Sequence, residues 1–268
     1  MSIWFSIRSA GIVLPGEDSS WNATIPPAMK RKDPRIWQLA YIATLRAIGE
    51  SGIQCKSVIS GTALGALDET KNFLDGIYGE GFGSPRNFIA SVHNSMAGKL
   101  ALDFKIDGPN LTVCDGHNSA ASSLAIASLL EDHDFPALLL LIDENITFFE
   151  TIGEHISTEC KPYISKGWKE AAVALIIDKK LDSSSPMVRG FGPVLTGDAA
   201  PEVRCKSIAE ESIGDLSGCD ILFTESTSSF VQPAIELYNC YAAKCSKHKV
   251  VGSCSPVGNA TAVMEYLF

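Results

Sequence analysis

Apolar positions recur along this chain in two rhythms, one of period two and one of period three to four. Residues 3–14 alternate and predict a first strand. Asp33-Pro34 predicts a helix start, with Trp37, Tyr41, Leu45 and Ile48 following at helical spacing. Val58–Gly61 predicts a short buried strand. Residues 76–85 hold four glycines and predict a loop. Ser95–Phe104 predicts a helix with Met96, Leu100 and Phe104 on one stripe. Leu111–Cys114 predicts a strand, and Ser119–Leu130 a helix. Ala137–Ile142 and Ala171–Ile177 are continuous apolar runs, the mark of strands covered on both faces. Residues 145–168 between them predict a lid or lining loop. Residues 195–218 are polar and poorly periodic and predict a crossing between halves. Asp220–Thr224 predicts a strand, Gln232–Cys245 a helix and Lys249–Ser253 a strand. No element is assigned after Ser253, and no short tandem repeat is visible. Alternating strands and helices imply an α/β fold with layered sheets.

Composition narrows the possible partners. The 268 residues are 46% apolar, enough for one large domain or two small ones. The net charge of −9 argues against a general binder of nucleic acid or of anionic membranes. The basic run Lys30, Arg31, Lys32 and Arg35 reads as a solvated loop. No apolar run is long enough to predict a membrane span. The first residues lack the pattern of an export signal, which predicts a cytoplasmic protein with reduced thiols. Eight cysteines lie at irregular spacings without a Cys-x-x-Cys pair. Cys240, Cys245 and His248 are conceivable metal ligands, but helical spacing on an apolar face explains the two cysteines as well. No metal and no cofactor is expected.

The candidate chemistry sits at residues 108–124. A strand, a tight turn and a helix of small residues have the shape of a nucleophile elbow, which thrusts one side chain toward the backbone N–H groups of a helix start. The tip falls on His117, a poor nucleophile. Ser119 or Cys114 activated by His117 would make a small hydrolase or acyltransferase, with Asp115 and His93 available to complete a triad. The plainer reading makes Ser119 a helix cap and Cys114 a small buried apolar group.

Three segments together resemble the β-ketoacyl synthases of the thiolase-like superfamily. Those enzymes carry a Gly-Pro, a strand, and a reactive Cys nine residues after the Gly; from Gly108 that count reaches His117. Their strand, His-Gly-Thr-Gly-Thr and acidic helix align with Asp220–Glu236, placing Glu225 at the histidine. Their Lys-Ser-Asn-x-Gly-His aligns with Ser255–Asn259, placing Asn259 at the histidine and Cys254 at the lysine, with one residue deleted. Pro85–Asn94 is similar to the segment leading into their interface helix. The resemblance implies a layered α-β-α-β-α arrangement, with an N-terminal half over 1–200 and a truncated C-terminal half over 201–268. The family's late Gly-Phe-Gly-Gly loop, a source of an oxyanion N–H, is not found before the last residue.

The resemblance also implies what is lost. The family's reaction uses a thiolate to carry the acyl group and two histidines to promote decarboxylation and stabilise the enolate. His117, Glu225 and Asn259 stand in those places, and an anionic Glu225 would oppose a developing enolate. The pattern is that of a chain length factor, a subunit without the active Cys that pairs with an intact synthase, as in aryl polyene assembly. Such a subunit would meet acyl carrier protein only through its partner. The implied contact strand is Leu111, Thr112, Val113 and Cys114, and the implied tunnel-depth residues are Met96, Lys99 and Leu100. A homodimeric acyl-binding protein is the other reading without catalysis.

Overall fold

The computed structural model describes residues 2–17, 22–148, 151, 169–195, 199–224, 229–254 and 260–268. Glu225, Asn259 and most of the stretch read above as a lid lie outside the described residues. Among the described residues nine strands carry the architecture: β1 (Phe5–Val13), β2 (Ser57–Thr62), β3 (Asn110–Cys114), β4 (Ala137–Asp143), β5 (Ala171–Asp178), β6 (Met187–Leu195), β7 (Asp220–Thr224), β8 (Lys249–Cys254) and β9 (Ala260–Leu267). Their spatial order is β3-β2-β4-β5-β1-β6-β9-β8-β7. The α-helices among the described residues include α1 (Pro27–Lys32), α2 (Arg35–Ser51), α3 (Leu67–Glu80), α4 (Pro85–Ser91), α5 (Ser95–Phe104), α6 (Ser119–Ala127), α7 (Pro201–Ile213) and α8 (Gln232–Ala242).

One topology occurs twice. In the first repeat β1 runs antiparallel to β5, β5 antiparallel to β4, and β4 parallel to β2. In the second, β6 runs antiparallel to β9, β9 antiparallel to β8, and β8 parallel to β7. The two meet through a short β1–β6 pairing at Phe5–Val188 and Ser6–Met187. By its pairing β6 belongs to the second repeat, which therefore begins ahead of residue 200. The first repeat alone carries an insertion between its second strand and its central helix: α3, α4, α5 and the edge strand β3. The repeat is one of strand order, which explains why no periodicity in the residues announces it.

Burial separates five layers. α2 and α5 cover one face of the first repeat, with Ile36, Leu39, Met96 and Leu100 packed on Val58, Leu138, Leu140 and Ile176. α6 and α8 fill the centre, where Ala121, Leu124, Ala234 and Leu237 meet strands of both repeats. α7 covers the outer face of the second repeat through Ile208 and Ala209 on Val250 and Val263. The continuous apolar runs of β4 and β5 are buried along both faces, as their sequence predicts.

Several elements depart from the sequence reading for identifiable reasons. α3 runs through Gly76 and Gly79 and ends at Gly81 in the left-handed conformation (φ 71°), so the glycine-rich loop begins later than predicted. The stretch 195–218 contains α7. Only Arg204, Cys205, Ile208 and Ala209 of that helix are buried, too narrow a stripe to register as periodicity. β6, a stretch to which the sequence assigns no element, contains Gly190, Gly192 and Pro193, and it accommodates them at a register shift between Phe191 and Val194. β9 lies past the last predicted element. Asp33 closes α1, and Pro34 stands just before α2. The first turn of α2 is capped from afar, by Ile36 N donating to Glu144 Oε2 (3.1 Å).

Candidate functional site

The elbow is built as the sequence suggests. β3 ends at Cys114, a tight turn spans Gly116–Asn118 with Gly116 at φ 52°, and α6 begins at Ser119. α6 is made of small residues because it is gripped from both sides. A Cβ on Gly61 of β2 would lie 2.6 Å from Ser123 Oγ and 3.0 Å from the Ser119 carbonyl oxygen. A Cβ on Gly190 of β6 would lie 2.6 Å from the Ala121 carbonyl oxygen and 2.8 Å from Leu124 Cβ. Only glycine on both strands lets the helix backbone come this close.

Hydrogen bonds fix the turn. Ser119 Oγ donates to Gly116 O (2.7 Å) and Thr62 O (2.9 Å) and accepts from Asp115 N (3.1 Å), so it caps the turn and ties it to β2. Ser122 Oγ donates to Asp115 Oδ2. Asn118 spans to the second repeat, accepting from Ser253 Oγ (2.9 Å) and donating to Ala260 O (3.2 Å). Beneath the elbow, Asp143 at the end of β4 collects the loop after β2. It accepts from Thr62 Oγ1 (2.8 Å), Ala63 N (3.0 and 3.1 Å) and Leu64 N (2.9 Å). Burial pushes its carboxyl up to about 6, against the pull of those donors.

His117 is fully buried. Its Nε2–H donates to the Thr224 carbonyl oxygen at the end of β7 (2.8 Å), and Thr224 Oγ1, 3.1 Å from Nε2, donates in turn to Gly252 O. Among the described residues Nδ1 meets no hydrogen-bond partner of ordinary geometry. Phe230 lies beside the ring, 6.4 Å between centroids and edge-on. Burial pushes the imidazole down to about 4, so it is neutral at pH 7 despite weak support for the charged form from the backbone of Thr224 and Phe230. A neutral imidazole whose proton is committed to Thr224 offers no thiolate to carry an acyl group. Thr224 and Ala260, which flank the positions of Glu225 and Asn259 on their described sides, both bond to the elbow.

The other sequence candidates fall in different places. Ser119 bonds to the turn, and the Nε2 of His117 is engaged elsewhere, so the two do not form a nucleophile–base pair. Cys114 is exposed, not buried as read, because β3 is the edge of the sheet; its thiol donates to Ala63 O (3.2 Å). Burial and the carboxylates of Asp143 and Asp115 push that thiol up. His93 packs its ring over Gly65. Thr112 bonds to Ser60 Oγ (2.8 Å). On α5, Met96 and Leu100 point into the first repeat's own core, and Lys99 pairs with Asp103 (2.5 Å). Leu102, which the sequence reading passed over, is the apolar residue that α5 presents outward, at 79% exposure. Ile77, Tyr78, Phe82, Phe88, Ile89 and Leu111 of the insertion are also exposed. Cys240 lies in the core, where Tyr266 donates to its carbonyl (3.1 Å), while His248 bonds to other groups. Among the described residues no group of three His, Cys, Asp or Glu is arranged to hold a metal, and no helix is long and apolar enough to cross a membrane.

No family model and no curated protein sequence matches the chain. Solved structures do. The ishigamide ketosynthase/chain length factor aligns with a TM-score of 0.72 at 16% identity, over 98% of each chain. The ketosynthase ApeO in complex with its chain length factor ApeC, from Xenorhabdus doucetiae, aligns at 0.63 and 17% identity, over 99% of this chain and 100% of that one. A type II polyketide acyl-carrier protein in complex with its ketosynthase aligns at 0.69 and 11% identity, over the whole of both chains. Identities this low speak to architecture alone. The duplicated topology, the two central helices and the elbow that opens the first of them therefore have the thiolase-like fold found in structures of ketosynthases and chain length factors.

Proposed function

We propose that this chain is a non-catalytic subunit of the chain-length-factor type, which pairs with an active β-ketoacyl-acyl carrier protein synthase and shapes its acyl tunnel. The observation that carries the reading is the elbow itself, complete in geometry but tipped by a buried neutral imidazole where acyl transfer needs a nucleophile. The insertion supplies the docking surface. β3 has an unpaired edge among the described strands, α5 packs against it, and the insertion carries exposed apolar side chains. In a heterodimer β3 would continue into the matching strand of the synthase, and Leu102 and Leu111 would be covered. An obligate pair of this kind buries roughly 2,000 Å² or more. Met96 and Leu100 would then act from beneath, anchoring α5 against its own core, with Leu102 nearer the partner.

The charge fits the same division of labour. A chain of net charge −9 repels an acidic carrier protein, so carrier docking falls to the active subunit. The setting that suits the reading best is polyene or aryl polyene synthesis. Co-expression with candidate β-ketoacyl synthases, followed by affinity capture of this chain, tests it. A stable one-to-one complex at micromolar concentration supports the assignment. A chain that retains no synthase, or that forms only its own homodimer in their presence, refutes it.

A further inference from the structure

A second cluster of chemical groups lies at the opposite ends of the second repeat's strands, roughly 16 Å from the elbow for a five-residue strand at about 3.3 Å per residue. Cys219 stands immediately before β7, His248 immediately before β8, and Glu265 within β9. Cys219 Sγ is 3.2 Å from His248 Nδ1, and His248 Nε2 is 2.5 Å from Glu265 Oε1. Glu265 Oε2 accepts from Arg189 Nε, and the Arg189 guanidinium lies over the rings of Trp4 and Phe191 at 4.5 and 4.8 Å. Glu265 is buried, whereas His248 and Cys219 are partly open to solvent.

Cys219, His248, Glu265 and Arg189 thus form one chain of contacts. Glu265 accepts from Arg189 through Oε2 and faces His248 through Oε1. Nε2 of His248, which faces a carboxylate oxygen, is the nitrogen placed to donate. With the ring neutral, Nδ1 is the acceptor and the Cys219 thiol the donor. This is the arrangement of an activated nucleophile: thiol, base, and a carboxylate that orients the base. Burial, with the carboxylates of Glu265 and Asp215, pushes the Cys219 thiol up. Its proton passes to His248 only as sulfur attacks.

The surroundings select the electrophile. Attack on a thioester needs N–H donors for the oxyanion. The amides of Cys219 and Asp220 already donate to Leu216 O (3.0 Å) and His248 O (2.9 Å). Attack on a disulfide develops charge on the leaving sulfur, which a protonated histidine can neutralise.

We propose that Cys219, His248 and Glu265 form a thiol–disulfide exchange site that takes up a small disulfide-bonded thiol. Cys219 sulfur attacks one sulfur of R–S–S–R while its proton moves to His248 Nδ1. The S–S bond of the reagent breaks, Cys219–S–S–R forms, and the departing thiolate recovers the proton from His248 as R–SH. Cys219 is oxidised and the leaving sulfur reduced, with no further reagent.

The test incubates the purified full-length protein with glutathione disulfide without oxygen, quenches in acid, and follows each cysteine by peptide mass spectrometry. Cys219 should be modified at least about tenfold faster than Cys114 and Cys245. His248→Gln should erase that advantage while leaving the Cys114 rate unchanged. A Cys219 no faster than Cys114, or one whose rate ignores His248→Gln, overturns the proposal. Should His248→Gln fail to fold, the comparison of cysteines within the native protein decides alone.

Discussion

The grip on α6 makes a quantitative prediction, because the two glycines that impose it meet different kinds of neighbour. Ordinary contacts begin near 3.4 Å, so a Cβ at Gly190 intrudes about 0.8 Å on the Ala121 carbonyl oxygen and about 0.6 Å on Leu124 Cβ. Both belong to the rigid core of a buried helix, which cannot turn aside. Gly190→Ala should therefore cost about 2–3 kcal/mol, the upper range of overpacking. For a chain of this length that lowers Tm by roughly 4–6 °C. Gly61→Ala meets Ser123 Oγ at 2.6 Å and Leu141 Cδ2 at 2.7 Å, both ends of side chains, with only the Ser119 carbonyl fixed at 3.0 Å. It should cost about 1–2 kcal/mol. Ser123 Oγ is buried without a hydrogen-bond partner among the described residues, so Ser123→Ala should be neutral or mildly stabilising. Added to Gly61→Ala it should recover about 0.5–1 kcal/mol; added to Gly190→Ala it should recover nothing. Urea unfolding followed by circular dichroism across the two double-mutant cycles measures all of this. Gly190→Ala within about 0.5 kcal/mol of the native protein, or equal rescue of both glycine variants by Ser123→Ala, would refute the picture of a helix gripped from two sides.

Other consequences follow from the same geometry. His117 has a folded-state value near 4 against 6.5 for the free side chain, so the unfolded chain takes up a proton first on acidification. Stability linked to His117 is complete above about pH 6.5 and lost as pH falls toward 4, by about 3 kcal/mol; His117→Gln should flatten that part of the pH–stability curve, and an unchanged slope would contradict it. Asp143→Asn would turn an amide toward donors that now reach a carboxylate, and should cost about 2–3 kcal/mol in thermal or urea unfolding. Leu102→Asp leaves the core untouched and should keep Tm within about 1 °C while weakening capture of a partner synthase at least about tenfold; undiminished capture would remove α5 from the interface.

How far the sequence revealed this molecule depends on the range of the interactions involved. The elbow was legible because its turn, its glycine and its small-residue helix are contiguous. The reason for those small residues was not, since Gly61 and Gly190 lie 129 positions apart and meet only across α6. α7 was obscured by its narrow buried stripe, and β6 by glycines and a proline that its neighbours tolerate. The helical stripe on α5 was read correctly, but periodicity does not say whether the buried side faces the chain's own core or another subunit. Met96 and Leu100 face inward, and Leu102 outward. Cys240, Cys245 and His248 were grouped because they are close in sequence, whereas His248 is bonded to Cys219 and Glu265 across strand ends.

The proposed function rests on a thiolase-like fold whose elbow is tipped by the buried His117 instead of a nucleophile. Product formation from acyl and malonyl thioesters by the isolated chain measures that claim most directly. The account predicts no β-ketoacyl product above the uncatalysed background. Sustained condensation by the chain alone, abolished by His117→Ala, would contradict it.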